Sequence, residues 1–193
     1  LPGLDPATVH RRVLPNGLTV LVRQDRSAPV VAIVTYVKAG YFDETDDVVG
    51  IAHVLEHMFF KGTERRGVGE IAKETKASGG YLNAHTIYDH TSYYAVLPAS
   101  GFAAGLDVQA DAYAHSVIDA AELAKELEVI IQEAKRKLDN PSAVTVETLY
   151  ALLHDRHRIR RWRIGVEDQL RGFRRDKINV PVMIILSKKN LKR

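Results

Sequence analysis

The sequence predicts an α+β fold, a mostly antiparallel sheet packed against several helices. Three observations carry that prediction. Residues 11–23, RRVLPNGLTVLVR, place a Pro15-Asn16-Gly17 turn between two short apolar runs, which is a hairpin pattern. YLNAHT and HTSYYAVL read as two more strands, joined by a short turn around Tyr88 and Asp89. A helical block from about residue 100 to 154 separates these strands from VPVMIIL, residues 180–186, which reads as a last strand. Strands before and after a helical block favour α+β over the regular alternation of a βαβ fold.

The elements follow in order. After the hairpin, VVAIVTYVKAG (30–40) is β-branched and continuous, which predicts a strand buried on both faces. Asp43 to Asp47 are acidic and supply candidates for a helix N-cap. The helix they open runs from about 48 to 61 and ends at Gly62. Residues 67–78 predict a second helix, stopped by Gly79-Gly80. The long helical block breaks near Ser116 to Asp119 and again at Asn140-Pro141. DRHRIRRWRIG is a basic connector, and VEDQLRGFRR predicts another helix. There is no internal repeat and no low-complexity tract.

The totals bound the function classes. A chain of 193 residues can bury a real core. Lys and Arg number 27 against 24 Asp and Glu, and a net charge of +3 is too small an excess to argue for a nucleic-acid partner. No apolar run approaches the roughly 18 residues of a membrane span. Residues 1–12 hold no signal-peptide core, and the chain lacks an initiator Met, which reads as a processed product or a fragment. Cysteine is absent, so disulfides, thiolate nucleophiles and sulfur ligands are excluded. A cysteine-free chain suits either the cytosol or the periplasm. The expectation is a soluble protein of the bacterial periplasm or cytoplasm, with the compartment undetermined.

HVLEHMFFKGT, residues 53–63, carries the chemistry. His53, Glu56 and His57 stand among Val54, Leu55, Met58, Phe59 and Phe60, in a segment that otherwise reads as buried. Buried polar groups need partners. On a helix, residues 53 and 57 rise about 6 Å and differ by about 40° around the axis. Both imidazoles then leave one face, where they can share an ion. Glu56 borders that face and is placed to hydrogen-bond a water there. HxxEH inverts the HExxH arrangement and occurs among zinc-peptidase motifs.

A catalytic zinc needs a third protein ligand and an open position. Without Cys, that ligand is His, Asp or Glu. In AAELAKELEVIIQEAKRKLD (120–139), Leu123, Leu127, Ile130, Ile131, Ala134 and Leu138 recur at helical spacing. Glu126 and Glu133 fall on one stripe at the border of that face. Glu128, Gln132 and Lys135 form a different stripe that reads as solvated. Two turns, about 10.5 Å, separate Glu126 from Glu133. One can be a ligand and the other can brace a ligand.

GIAHVLEHMFFKGT, SGGYLNAHT (78–86) and ELEVIIQE (126–133), in that order, resemble the pitrilysin/insulinase-like zinc metallopeptidases, which include the mitochondrial processing peptidases. The likeness covers roughly residues 11–175. It implies that His53, His57 and Glu133 bind one zinc ion, that Glu56 is the general base, and that Glu126 braces a ligand. It implies that Asn83 and Ala84 lie on an edge strand that pairs with the backbone of a peptide substrate. The implied reaction is endopeptidase hydrolysis of short or unfolded peptides. Glu56 takes a proton from the attacking water and passes it to the leaving amine.

The resemblance makes residues 1–193 a single catalytic domain, either a fragment or a shortened half-unit. After FRRDKI the family pattern is lost. Family members close two similar halves around the peptide, so a homologous second half or a partner chain is expected to complete the site.

The alternative function is a non-catalytic or partner-dependent peptide-binding subunit. An S-ribosylhomocysteine lyase shares an HxxEH helix but needs a cysteine that this chain lacks. Arg156, Arg158, Arg160, Arg161 and Arg163, with Trp162, could suit a nucleic-acid module. The favoured reading is a solvated connector with Trp162 tucked into the core. His85 and His90 read as ordinary strand residues, and Asn83 on its own could equally make a local turn bond.

Overall fold

The structure, a computed structural model, describes residues 8–178. The chain divides into two compact units, Leu1–Val30 and Val31–Arg193.

The first unit is a hairpin of β1 (Val9–Val13) and β2 (Thr19–Arg23), with Val9 opposite Arg23 and Val13 opposite Thr19. Its turn is the one the Pro-Asn-Gly signal predicts. The Leu14 amide donates to the Leu18 carbonyl at 2.8 Å, and the Gly17 amide donates to the Leu14 carbonyl at 2.9 Å. Gly17 adopts φ +84°, a left-handed conformation that glycine reaches without a steric penalty.

In the second unit, β3 (Val30–Val37), β4 (Tyr81–Thr86) and β5 (Thr91–Pro98) form a sheet of order β3-β5-β4. β4 and β5 are antiparallel, with Tyr81 opposite Val96 and Thr86 opposite Thr91. Among the described residues the sheet is accompanied by α1 (Ile51–Met58), α2 (Glu70–Ala77), α3 (Phe102–His115), α4 (Ala120–Leu138), α5 (Pro141–Leu153) and α6 (Glu167–Arg171). The architecture is α+β. The predicted strand at 180–186 lies outside the described residues.

Local chemistry sets the helix ends. Asp119 caps α4 by accepting the amides of Ala121 and Glu122, both at 2.9 Å. Asn140 caps α5 by accepting the Ala143 amide at 3.1 Å, and Pro141 takes the first helical position, where a missing N–H is harmless. These two caps are the breaks the sequence marks within its long helical block.

Two expectations need correction. β3 is not buried on both faces; its residues alternate between exposed and half-buried, and Val34 is 60% exposed. Among the described residues it borders only β5, so the β-branched run lies at a sheet edge there. α1 is shorter than residues 48–61, and its N-cap is Gly50 rather than an acidic residue between 43 and 47. The acidic residue acts from a distance instead. Glu44 is buried and accepts the Gly50 amide at 3.0 Å and the Ala52 amide at 2.9 Å. A carboxylate there satisfies amides that the helix start leaves unpaired.

The main core joins α1 to α4. Ile51, Val54 and Met58 pack with Leu123, Leu127, Ile130 and Ile131, and with Ile164, Leu170 and Phe173. A second cluster gathers Phe59, Ile71, Tyr93, Val108 and Ala112, with Leu82 and Ala84 against it. The site lies where α1 faces both α4 and β4.

Candidate metal centre

α1 presents His53 and His57 one turn apart, with ring centroids 4.7 Å apart and planes at 83°. His53 is buried. Burial, with the neighbouring His57 ring adding to it, pushes the His53 imidazole down to about 4. Its Nδ1 has no hydrogen-bond partner among the described residues. A neutral imidazole is the form that can ligate a metal.

α4 brings Glu133 to these rings. Glu133 Oε2 lies 3.8 Å from His53 Nε2 and 3.9 Å from His57 Nε2. The three donor atoms fall within 4.8 Å of one another. Those separations are too long for hydrogen bonds. Two ligands about 2.0–2.1 Å from one tetrahedral zinc would sit roughly 3.4 Å apart. The gaps therefore suit an ion between the groups better than direct contact. Two imidazole nitrogens and one carboxylate oxygen, with no sulfur, also match the donor set of a hydrolytic zinc.

Glu126 occupies the same stripe of α4, two turns earlier, and is buried. Its Oε2 is 2.9 Å from His57 Nδ1, and its Oε1 is 2.6 Å from Lys61 Nζ. Burial raises this carboxyl, but the Lys61 and His57 hydrogen bonds outweigh it and hold the group below the usual carboxylate range. A carboxylate on Nδ1 keeps the proton on that nitrogen and leaves Nε2 as a lone-pair donor. Glu126 is therefore the acid hydrogen-bonded to His57, and Glu133 is the acid that faces both rings.

Glu56 leaves α1 toward β4. The Thr86 hydroxyl donates to Glu56 Oε2 at 2.6 Å. Burial raises the Glu56 carboxyl above its ordinary value, against that hydrogen bond.

Asn83 and Ala84 lie on β4, which among the described residues borders only β5, at an edge of the sheet. The Ala84 amide donates to Asn83 Oδ1 at 2.8 Å rather than to a strand partner. Asn83 is exposed and Ala84 half-buried. His85 and His90 do not join the centre: Ser92 Oγ lies 3.1 Å from His85 Nε2, and His90 Nδ1 lies 2.9 Å from Asp89.

Sequence reasoning did not single out Thr86 or Lys61. Thr86 shares the half-buried face of β4 with Ala84, two residues earlier. Lys61 follows His57 by four residues, one turn on, although α1 ends at Met58. Both signals are present but carry no chemistry until α4 and β4 are in place.

The connector arginines serve the same region. Arg158 donates to the Phe42 carbonyl, and Arg161 donates to the Glu44 carbonyl at 3.0 Å and pairs with Asp46. Arg163 reaches the buried Glu147, with Nε at 2.7 Å. Trp162 is half-buried against the main core. Arg158 and Arg161 staple the segment that carries Glu44, and through it the start of α1.

The chain is similar to known proteins. A Bacillus subtilis protein described as an uncharacterized zinc protease is 34% identical over 170 residues, 88% of this chain and 42% of that protein. The probable β subunit of the Arabidopsis thaliana mitochondrial-processing peptidase is 37% identical over 138 residues, 72% of this chain and 26% of that one. A crystal structure of a Helicobacter pylori protease superposes with a TM-score of 0.84 at 26% identity, covering 89% of this chain and 42% of that one. The chain thus spans less than half the length of these relatives. The model of the insulinase family, peptidase family M16, matches residues 19–162, and the chain belongs to that family.

Proposed function

We propose that this chain is the zinc-binding catalytic half of a metalloendopeptidase that hydrolyses short or unfolded peptides. One observation carries the reading: His53, His57 and Glu133 converge at ion-sized separations while Glu56 stands beside them, oriented by Thr86. The relatives' description as zinc proteases supports the choice of metal.

His53 Nε2, His57 Nε2 and a Glu133 oxygen would hold the ion, with Glu126 fixing the His57 tautomer. The chemistry a bound zinc supplies is Lewis acidity, which lowers the pKa of a water from 15.7 to about 7 and polarises a carbonyl. Glu56 accepts the proton of the attacking water and returns it to the departing amine nitrogen. The Thr86 hydroxyl holds Oε2 of Glu56 in one orientation through both transfers. β4 offers its open edge, around Asn83 and Ala84, to an extended peptide by main-chain hydrogen bonding.

The test separates metal from base. The chain should bind about one zinc per molecule. Glu56→Gln should keep the zinc and lose hydrolysis of a quenched peptide; unchanged cleavage would remove Glu56 from the mechanism.

A second reading is a partner-dependent peptide-binding subunit. It is favoured by the chain's span of only 42% of a relative such as the Bacillus subtilis protein. Zinc binding without turnover, followed by turnover once the remaining half is supplied, would identify a half that needs closing. Peptide binding without turnover in either case would identify a receptor.

A further inference from the structure

We infer that Lys61 is a positioning residue for the metal centre, acting on His57 through Glu126. The inference rests on the reading of His53, His57 and Glu133 as zinc ligands.

Glu126 is a nearly buried carboxylate whose two oxygens have different partners. Oε2 meets His57 Nδ1 at 2.9 Å, and Oε1 meets Lys61 Nζ at 2.6 Å. A glutamate has three side-chain torsions, and its terminal carboxylate rotates in a broad well. One hydrogen bond to an imidazole leaves that rotation open. A second bond at the opposite oxygen fixes the carboxylate plane and so fixes the direction in which the His57 Nδ1–H must point. The His57 ring can then present Nε2 only toward Glu133.

The chain supplies Lys61 from a turn that is itself anchored. The Lys61 amide donates to the Met58 carbonyl at 3.0 Å. Two residues on, Thr63 donates to the buried Asp111 at 2.6 Å, and Asp111 also takes Arg66 at 2.7 Å. The ammonium therefore reaches Glu126 from just beyond the C-terminal end of α1. Lys61 touches neither His53 nor Glu133 in the structure, so its effect on them passes through Glu126.

Partners that orient a metal-bound histidine typically change metal affinity by about 10- to 100-fold when removed. The experiment is a zinc titration of the full 193-residue chain against a competing chelator, for the unaltered protein, Lys61→Met, Lys61→Arg, Glu126→Gln and the Lys61→Met/Glu126→Gln pair. Thermal unfolding of each metal-free protein runs in parallel.

Lys61→Met should weaken zinc binding about 10- to 100-fold, and Lys61→Arg should restore most of the affinity. In the Glu126→Gln background, Lys61→Met should add less than about twofold, because the route it uses is already cut. Affinity in Lys61→Met within about twofold of the unaltered chain would overturn the inference and leave the zinc site standing. The same loss in the Glu126→Gln background would overturn it too, by showing a route that does not pass through Glu126. If Lys61→Met does not fold, the comparison of Lys61→Arg with Lys61→Gln decides by the same criteria. An unaltered chain that binds no zinc would overturn the site reading and this inference together.

Discussion

Thr86 and Glu56 show how far single side chains decide the chemistry. Their 2.6 Å hydrogen bond joins a strand to a helix and orients the proposed base. A hydrogen bond to a charged group contributes roughly 1.5–3 kcal/mol. Thr86→Val should therefore lower kcat of the assembled enzyme by about ten- to hundredfold at unchanged zinc affinity, and Thr86→Ser should recover most of it. Steady-state kinetics beside a zinc titration reads both. A Thr86→Val enzyme with full kcat would show that Glu56 needs no such partner. At this scale the sequence was informative where spacing within one helix sufficed. His53 and His57 at i,i+4, and Glu126 and Glu133 at i,i+7, could be placed on their faces before any fold was known. Thr86 could not, because its contact with Glu56 exists only once β4 packs against α1.

At the scale of elements, α1 depends on its neighbours for both its ends and its position. Ile130 of α4 is fully buried against it. Ile130→Ala should destabilise the chain by about 2–5 kcal/mol, read by chemical denaturation, and should weaken zinc binding with it. Gly50 opens α1 at φ +95°, where a Cβ would meet the Ile164 carbonyl oxygen at 2.7 Å. Gly50→Ala is therefore strained both by its backbone and by its neighbour. Glu44 caps the same end, and burial raises its carboxyl from 4.5 to about 7. The folded protein then holds a proton on Glu44 that the unfolded chain releases between these values. Fewer protons are bound in the unfolded state across that window, so this group's contribution to stability falls as pH rises from about 4.5 to about 7. Its full extent is on the order of 3 kcal/mol. Glu44→Gln should flatten that part of the metal-free stability profile. A profile identical to that of the unaltered chain would show that Glu44 stays ionised throughout. The strands and caps of this region were legible, since Asp119, Asn140-Pro141 and Gly79 act on their own chain neighbours. The burial of β3 was not, because a β-branched run reads alike in the centre of a sheet and at its edge. The distance from Glu44 to Gly50 also hid the true cap of α1.

At the scale of the whole molecule, the chain is less than half of the relatives it matches. On the proposed reading, His53, His57, Glu133, Glu56 and the edge of β4 all lie on its own elements. The isolated chain should bind zinc with wild-type stoichiometry yet turn over peptide slowly, and adding the remaining half should raise kcat/KM without changing zinc content. Turnover by the isolated chain equal to that of the assembly would show that closure adds nothing. The five arginines of residues 156–163 looked, as composition, like a possible binding surface. In the structure Arg158, Arg161 and Arg163 are spent on their own chain, which sequence alone does not show because their partners lie more than a hundred residues away or in α5.

The most direct measurement compares zinc binding by the unaltered chain, Glu133→Ala and Glu128→Ala in one titration. Glu128 stands on the same helix but is exposed and pairs with Arg171. The account predicts about one zinc for the unaltered chain and for Glu128→Ala, and a loss of affinity exceeding about 100-fold for Glu133→Ala, beyond what removing a mere bracing residue produces. Undiminished zinc affinity in Glu133→Ala would contradict it.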